Sequence, residues 1–382
     1  MADNLFSDKD AFPDPGVAAA GVLMAAAAMA LLAANSPLAP LHAEVFAHVI
    51  LGKTLLHWVN DGLMAVFFFL VGLEIKREVV VGELSTRAKA ALPVLAAAGG
   101  MIGPALIYVL LNEGEDLRGW AIPTATDIAF ALGILALLGS RVPPALKVFL
   151  TALAVIDDLG AILIIAVFYT AELSGVALAA AGAAIAVLIA LNRSGVRAIA
   201  AYVVVGLILW VCVLNSGVHA TMAGVITALA VPAGEDAKGR APLTTLEHAL
   251  HPAVTFFILP LFAFANAGVG ISDLSAEVLL HPVTVGIALG LFAGKQVGVL
   301  AITYVARAAG WVQLPSGVTA AQYYGTALLC GVGFTMSLFI GNLAFDENAV
   351  RLLEVKAGVL GGSLISGIVG YFIIWASLRP KT

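Results

Sequence analysis

Asp157 and Asp158 stand side by side inside the apolar run Leu150-Thr-Ala-Leu-Ala-Val-Ile-Asp-Asp-Leu-Gly-Ala-Ile-Leu-Ile-Ile-Ala-Val-Phe168. A carboxylate at the centre of a bilayer costs about 2.5–3.5 kcal/mol on insertion scales, so an adjacent pair is tolerated only where it has a function. Two carboxylates this close cannot both ionise cheaply. They share protons, or they share a cation. Alternation between those two occupants is the chemistry of cation/proton exchange.

Of the 382 residues, 61% are hydrophobic and 11% are charged. A globular chain carries about 25% charged residues, so the composition is that of a polytopic membrane protein built from spanning helices of about 20 residues. A net charge of −5 offers no basic surface for nucleic acid. Cys212 and Cys330 lie in apolar runs and read as packing residues, with no disulfide framework. Met1–Pro15 is acidic and lacks the positive region of a secretory leader, so Gly16–Ala34 reads as a first span.

Apolar runs predict twelve transmembrane segments, near 16–34, 58–76, 90–111, 121–139, 144–170, 175–191, 197–213, 216–231, 247–268, 284–305, 318–343 and 353–378. No soluble domain fits, and 1–382 reads as one membrane domain. Alternate crossing puts fourteen Lys and Arg residues on one side, among them Lys76, Arg77, Arg141, Lys147 and Arg193. Only Lys53, Arg118, Arg351 and Lys356 fall on the other, while Lys295 is inside a span. The positive-inside bias then makes both termini cytoplasmic. Opposite them, Glu44–Leu56 holds two short apolar stretches around Gly52-Lys53, compatible with a small β-hairpin and equally with a surface loop.

Two segments look interrupted. The fourth contains Ile122-Pro-Thr-Ala-Thr-Asp127, and the eleventh contains Leu329-Cys-Gly-Val-Gly-Phe-Thr335. Unwound backbone survives in a membrane only where protein or a water-filled cavity satisfies it. Interruptions at corresponding places in two halves point to a transporter site. Segments three to five and ten to twelve are therefore expected to be inverted repeats, with the remaining segments as scaffold.

Lys295 lies mid-span, too deep to reach water by snorkelling, and needs an anionic partner. Crossed broken helices bring two N-termini together at one point and two C-termini at another. An aspartate at the first and a lysine at the second would neutralise both, which gives Asp127 and Lys295 a structural role beside possible ion ligation. Adjacent residues on a helix diverge by about 100°, so Asp157 and Asp158 need a wide, hydrated cavity. Such a cavity with carboxylate, carbonyl and water oxygens suits Na⁺ or Li⁺. Glu74, Lys76, Arg77 and Glu78 after segment two, with Arg240, Glu247, His248 and His251 before segment nine, form a charged cluster. Spacing alone reads it as solvated loops with capping charges; a pH-responsive network is the alternative.

The chain resembles the NhaA-type bacterial sodium/proton antiporters along most of its length. The resemblance rests on Trp58-Val-Asn-Asp-Gly-Leu-Met-Ala-Val-Phe-Phe68, Val71-Gly-Leu-Glu-Ile-Lys-Arg-Glu78, Ala125-Thr-Asp-Ile-Ala-Phe-Ala-Leu-Gly133 and Ile156-Asp-Asp-Leu-Gly-Ala161. Ser216-Gly-Val-His-Ala220, Leu246-Glu-His-Ala-Leu-His-Pro252, Leu259-Pro-Leu-Phe-Ala-Phe-Ala-Asn-Ala-Gly268, Gly294-Lys295 and Gly331-Val-Gly-Phe-Thr-Met-Ser337 extend it. That family is itself a type case of inverted repeats and broken helices, so this architecture follows from the resemblance. The resemblance implies that Asp157 and Asp158 bind the cation and exchange protons, that Thr126 and Asp127 flank the break, and that Lys295 pairs with or competes against Asp157. It further implies a pH-responsive cytoplasmic funnel of Glu74, Arg77, Glu78, Arg240, Glu247, His248 and His251, modulated by His219. A homodimer joined partly through the Glu44–Leu56 hairpin is implied as well, with Na⁺, Li⁺ and protons as cargo and no cofactor.

Three other readings remain open on sequence. A sodium-coupled organic-solute symporter would share the architecture. An intramembrane aspartyl protease would need its acids on separate helices and a Gly-x-Gly-Asp motif, which this sequence lacks. A channel would conduct downhill without proton exchange.

Overall fold

The computed structural model describes residues 15–170, 173–235, 241–346 and 348–378. Each predicted segment coincides there with a helix or a run of helices. Eight are long and apolar enough to cross a membrane alone: Gly16–Ala34, Arg87–Leu111, Pro144–Phe168, Gly175–Arg193, Pro242–Asn266, Pro282–Ala308, Ala320–Phe345 and Ala349–Ser377. Segment four, Gly114–Thr124 followed by Ile128–Leu137, bends by 43° at its break and makes a ninth. Segment two is a π turn, Trp58–Leu63, continued by the charged helix Met64–Val80; segments seven and eight are the shorter helices Ile199–Leu214 and Thr221–Ala230. The architecture is all-α and polytopic.

Segment four starts earlier than predicted, as a tight 3₁₀ turn from Gly114 instead of a helix from 121. Its polar Gly-Glu-Asp-Leu-Arg start carries no apolar signal. Tertiary partners hold it: Tyr108 Oη donates to Asp116 O at 2.8 Å and Tyr169 Oη to Arg118 O at 2.6 Å.

The tightest helix contact is between segments three and ten. Gly99 and Gly103 face Gly294 and Gly298, so each helix brings a small-xxx-small stripe to the crossing. A Cβ on Gly99 or on Gly298 would fall on the backbone carbonyl of the other. Segment five packs on segment three, and segment twelve on segments ten and eleven. Segments two, six, seven and eight share a separate apolar cluster through Leu73, Leu188, Tyr202, Leu209 and Ala228. Segment one lies against Ile128–Leu137 and Leu259–Asn266.

The hairpin is present but shorter than the Glu44–Leu56 expectation. Val49–Ile50 pairs antiparallel with Lys53–Thr54, and the turn is Leu51-Gly52, with φ of +51° and +82°. Positive φ at both central residues matches the right-handed twist of the strands. Glu44 belongs instead to the helix Ala39–Ala47, which Pro40 starts and an alanine-rich sequence favours.

Candidate ion site at the crossed broken helices

The two breaks, Ala125–Asp127 and Cys330–Gly333, meet in the protein interior. Asp127 N donates to Val332 O at 2.7 Å, and Thr126 Oγ1 lies 2.9 Å from Cys330 O. The N-termini of Ile128–Leu137 and Phe334–Phe345 converge on the Asp127 carboxylate. Oδ1 accepts from Phe130 N at 2.9 Å; Oδ2 accepts from Thr335 N at 3.0 Å and from the Thr335 hydroxyl. Ser363 Oγ, from segment twelve, accepts from Gly333 N at 3.2 Å and Phe334 N at 3.1 Å. Asp127 therefore places a negative charge at two positive helix ends, with both carboxylate oxygens engaged.

Lys295 occupies the opposite pole and is fully buried. Its Nζ donates to Thr124 O at 2.5 Å, at the C-terminal end of the 3₁₀ turn, and forms an ion pair with Asp157 Oδ2. A π turn at Gly290–Gly294 immediately precedes Lys295 and sets its direction.

Asp157 and Asp158 divide their surroundings as their angular separation requires. Asp157 Oδ2 also accepts from Thr126 Oγ1 at 2.5 Å, so this carboxylate is held by a cation and a hydroxyl. Asp158 makes no hydrogen bond or ion pair among the described residues, and Asp157 Oδ1 and Asp158 Oδ1 are both buried without a partner. Asp158 lines a cavity of about 460 Å³ together with Glu74, Asp127 and Thr335, while His251 and Gly16 line it toward the side bearing Lys76 and Arg77. One carboxylate is pinned and the other faces a cavity that extends toward the basic side. Buried anionic oxygens with unused lone pairs favour a hard cation or a proton.

The charged cluster separates into parts. Arg77 Nε donates to Glu247 Oε1 and Oε2 at 2.9 and 3.0 Å, and its guanidinium meets Glu78 Oε1 at 2.9 Å. Glu74 lines the cavity with Asp158 and interacts electrostatically with Glu247, Arg77 and Glu78. His251 reaches the cavity rim; His248 is exposed and forms no ion pair among the described residues. Arg240 lies outside the described residues. His219 is not on this side at all. It precedes Thr221–Ala230 on the opposite face, in a cavity of about 690 Å³ with Glu113, Asp116, Asp346 and Arg351. Segment eight begins on that face, which is what removes His219 from the Arg77 network.

Thr335 and Ser363 were not singled out by sequence reasoning. A hydroxyl just inside a helix that follows Gly-Val-Gly is a capping signal for Thr335, whereas Ser363 acts 30 residues away from Gly333 and leaves no local trace.

The profile of the Na+/H+ antiporter 1 family matches residues 12–374. The chain belongs to that family. It is 58% identical to the Na(+)/H(+) antiporter NhaA of Rhodospirillum rubrum, covering 96% of each chain. It is 55% identical to NhaA of Nitrobacter hamburgensis over 95% of this chain and 90% of that one. NhaA of Caulobacter vibrioides is also 55% identical, over 96% of this chain and 90% of the relative. The family is one of transporters, and membership accounts for the polytopic architecture.

Proposed function

We propose that this protein exchanges Na⁺, and Li⁺, for protons at Asp157 and Asp158. The observation that carries the reading is Asp158, a buried carboxylate without a hydrogen-bond partner beside a cavity that extends toward the basic side. The names of its relatives support antiport, and none supports a solute symporter. Asp127 balances the two helix N-termini, because its oxygens are already engaged there. Thr126 orients Asp157, and Lys295 compensates Asp157 until a cation takes its place.

The cycle is alternating access. The basic side is the cytoplasmic one, where both termini lie. Facing it, the deprotonated pair takes Na⁺; the segments then rock, and protons from outside displace the cation. Two protons per sodium move one net charge, worth about 2.3 kcal/mol per 100 mV, so the membrane potential drives sodium out. Arg77, Glu78 and Glu247 form an ion-paired brace beside the cavity mouth, the candidate regulatory element. A second copy pairs at the hairpin, whose Val49, Ile50 and Leu51 are exposed.

The test is proton movement in everted vesicles on adding Na⁺, Li⁺ or K⁺, as a pH series at low and saturating sodium. Rate rises with pH, since raising pH removes the competing proton, and the midpoint falls as sodium increases. Glu247→Gln shifts only the part of the profile that saturating sodium leaves. If saturating sodium abolishes all pH dependence below about pH 7 in both proteins, competition suffices and the brace has no regulatory role. Sodium uptake that needs an organic solute would replace antiport by symport.

A further inference from the structure

One turn beyond the lining of the cavity that reaches Asp158, side chains stand in register on three helices. On Met64–Val80, Val71 lines the cavity and Phe68 lies one turn further out; on Leu259–Asn266, Leu259 lines it and Phe262 follows. On Phe334–Phe345, Thr335 lines it and Phe339 follows. The three phenylalanines are buried, and Phe339 packs against the other two, its ring centroid 5.3 Å from that of Phe68 and 6.2 Å from that of Phe262. Beyond them the same three helical segments end in amides. Asn266 Nδ2 donates to Asn60 Oδ1 at 2.9 Å, Asn342 Nδ2 donates to Asn266 Oδ1 at 2.7 Å, and Asn60 Nδ2 approaches Asn266 Oδ1 at 3.4 Å. Thr335, Phe339 and Asn342 follow an i, i+4, i+7 spacing, so one stripe carries cavity wall, plug and amide over about 10 Å.

We propose that the Asn60–Asn266–Asn342 triad is the latch of the outer gate, positioning the phenylalanine plug so that the Asp158 site opens to the basic side alone. Asn342 comes from a segment that carries the ion site, whereas Asn60 and Asn266 come from segments two and nine on the other wall of the cavity. Opening the far side must part these walls, and the amide hydrogen bonds break as they part, together with the bond from Lys356 Nζ to Gly268 O. Asn266 is central because its Nδ2 also donates to Phe262 O at 2.9 Å, tying the latch to the plug. Three amides suit this role, since water replaces their hydrogen bonds once the gate opens and no charge is stranded.

The proposal rests on the antiport reading, and its test is sided. KM for Na⁺ is measured at each face, in everted and in right-side-out vesicles, for wild type, Asn342→Ala and Asn60→Ala. Losing one neutral hydrogen bond shifts the gate equilibrium about fivefold. The outward-open state is the minor one, so KM at the outer face falls about fivefold in Asn342→Ala while KM at the basic face changes little. Asn60→Ala moves in the same direction. A merely structural role would lower the maximal rate from both faces and leave the ratio of the two KM values as in wild type. That unchanged ratio, in either variant that folds and transports, overturns the latch while leaving antiport standing. A wild type that moves no protons with sodium overturns both.

Discussion

Asp158→Asn abolishes sodium-driven proton movement in liposomes while the protein stays folded and inserted. The amide keeps the shape of the side chain and removes the exchangeable charge. Asp158 makes no hydrogen bond or ion pair among the described residues, so the substitution strands no partner. Indeed it removes a buried carboxylate beside another one, which relieves like-charge repulsion. The expected signature is therefore transport at background with a melting temperature equal to or above that of wild type. Sodium-driven proton efflux near the wild-type rate in the purified variant would show that Asp158 is not the exchanging group.

Asp157 and Lys295 behave oppositely. Lys295→Ala leaves Asp157 as a buried carboxylate without its cation and Thr124 O without its donor. Breaking one side of a buried pair costs about 3–5 kcal/mol, so a large fall in melting temperature is expected. Asp157→Asn in the same background removes the stranded charge and restores part of the loss. Restoration is incomplete because Thr124 O remains without the lysine. In a double-mutant cycle the two substitutions are strongly non-additive. Additive melting shifts would mean that the ion pair contributes nothing to the fold.

The ion-site elements legible in the sequence were those that violate local rules. Carboxylates in an apolar run, a mid-span lysine, Pro123 and the Gly331–Gly333 pair each break the pattern of a membrane helix, and they come together at the crossing. What stayed hidden depends on long-range partners or on compensation. The hydrogen bond from Asn266 to Asn60 joins residues 206 apart, and the Arg77–Glu247 bridge joins residues 170 apart. An asparagine near a helix end is ordinary by itself, so nothing local marked the triad. The facing glycine stripes of segments three and ten were visible as spacings, but only the packing pairs them. The polar start of segment four carries no apolar signal, and its backbone is held by Tyr108 and Tyr169, from segments three and five. The family resemblance alone ties His219 to the Glu247 group, and its position at the start of segment eight separates them.

If cation and proton compete for the same two carboxylates, sodium binding must expel protons without any membrane. The direct measurement is proton release from purified protein in weak buffer on adding Na⁺, for wild type and for Asp158→Asn. The wild type releases protons at acidic and neutral pH, and the release fades at high pH, where the pair is already deprotonated. Asp158→Asn releases none. Saturable sodium binding to the wild type with no proton release at any pH would contradict a shared site.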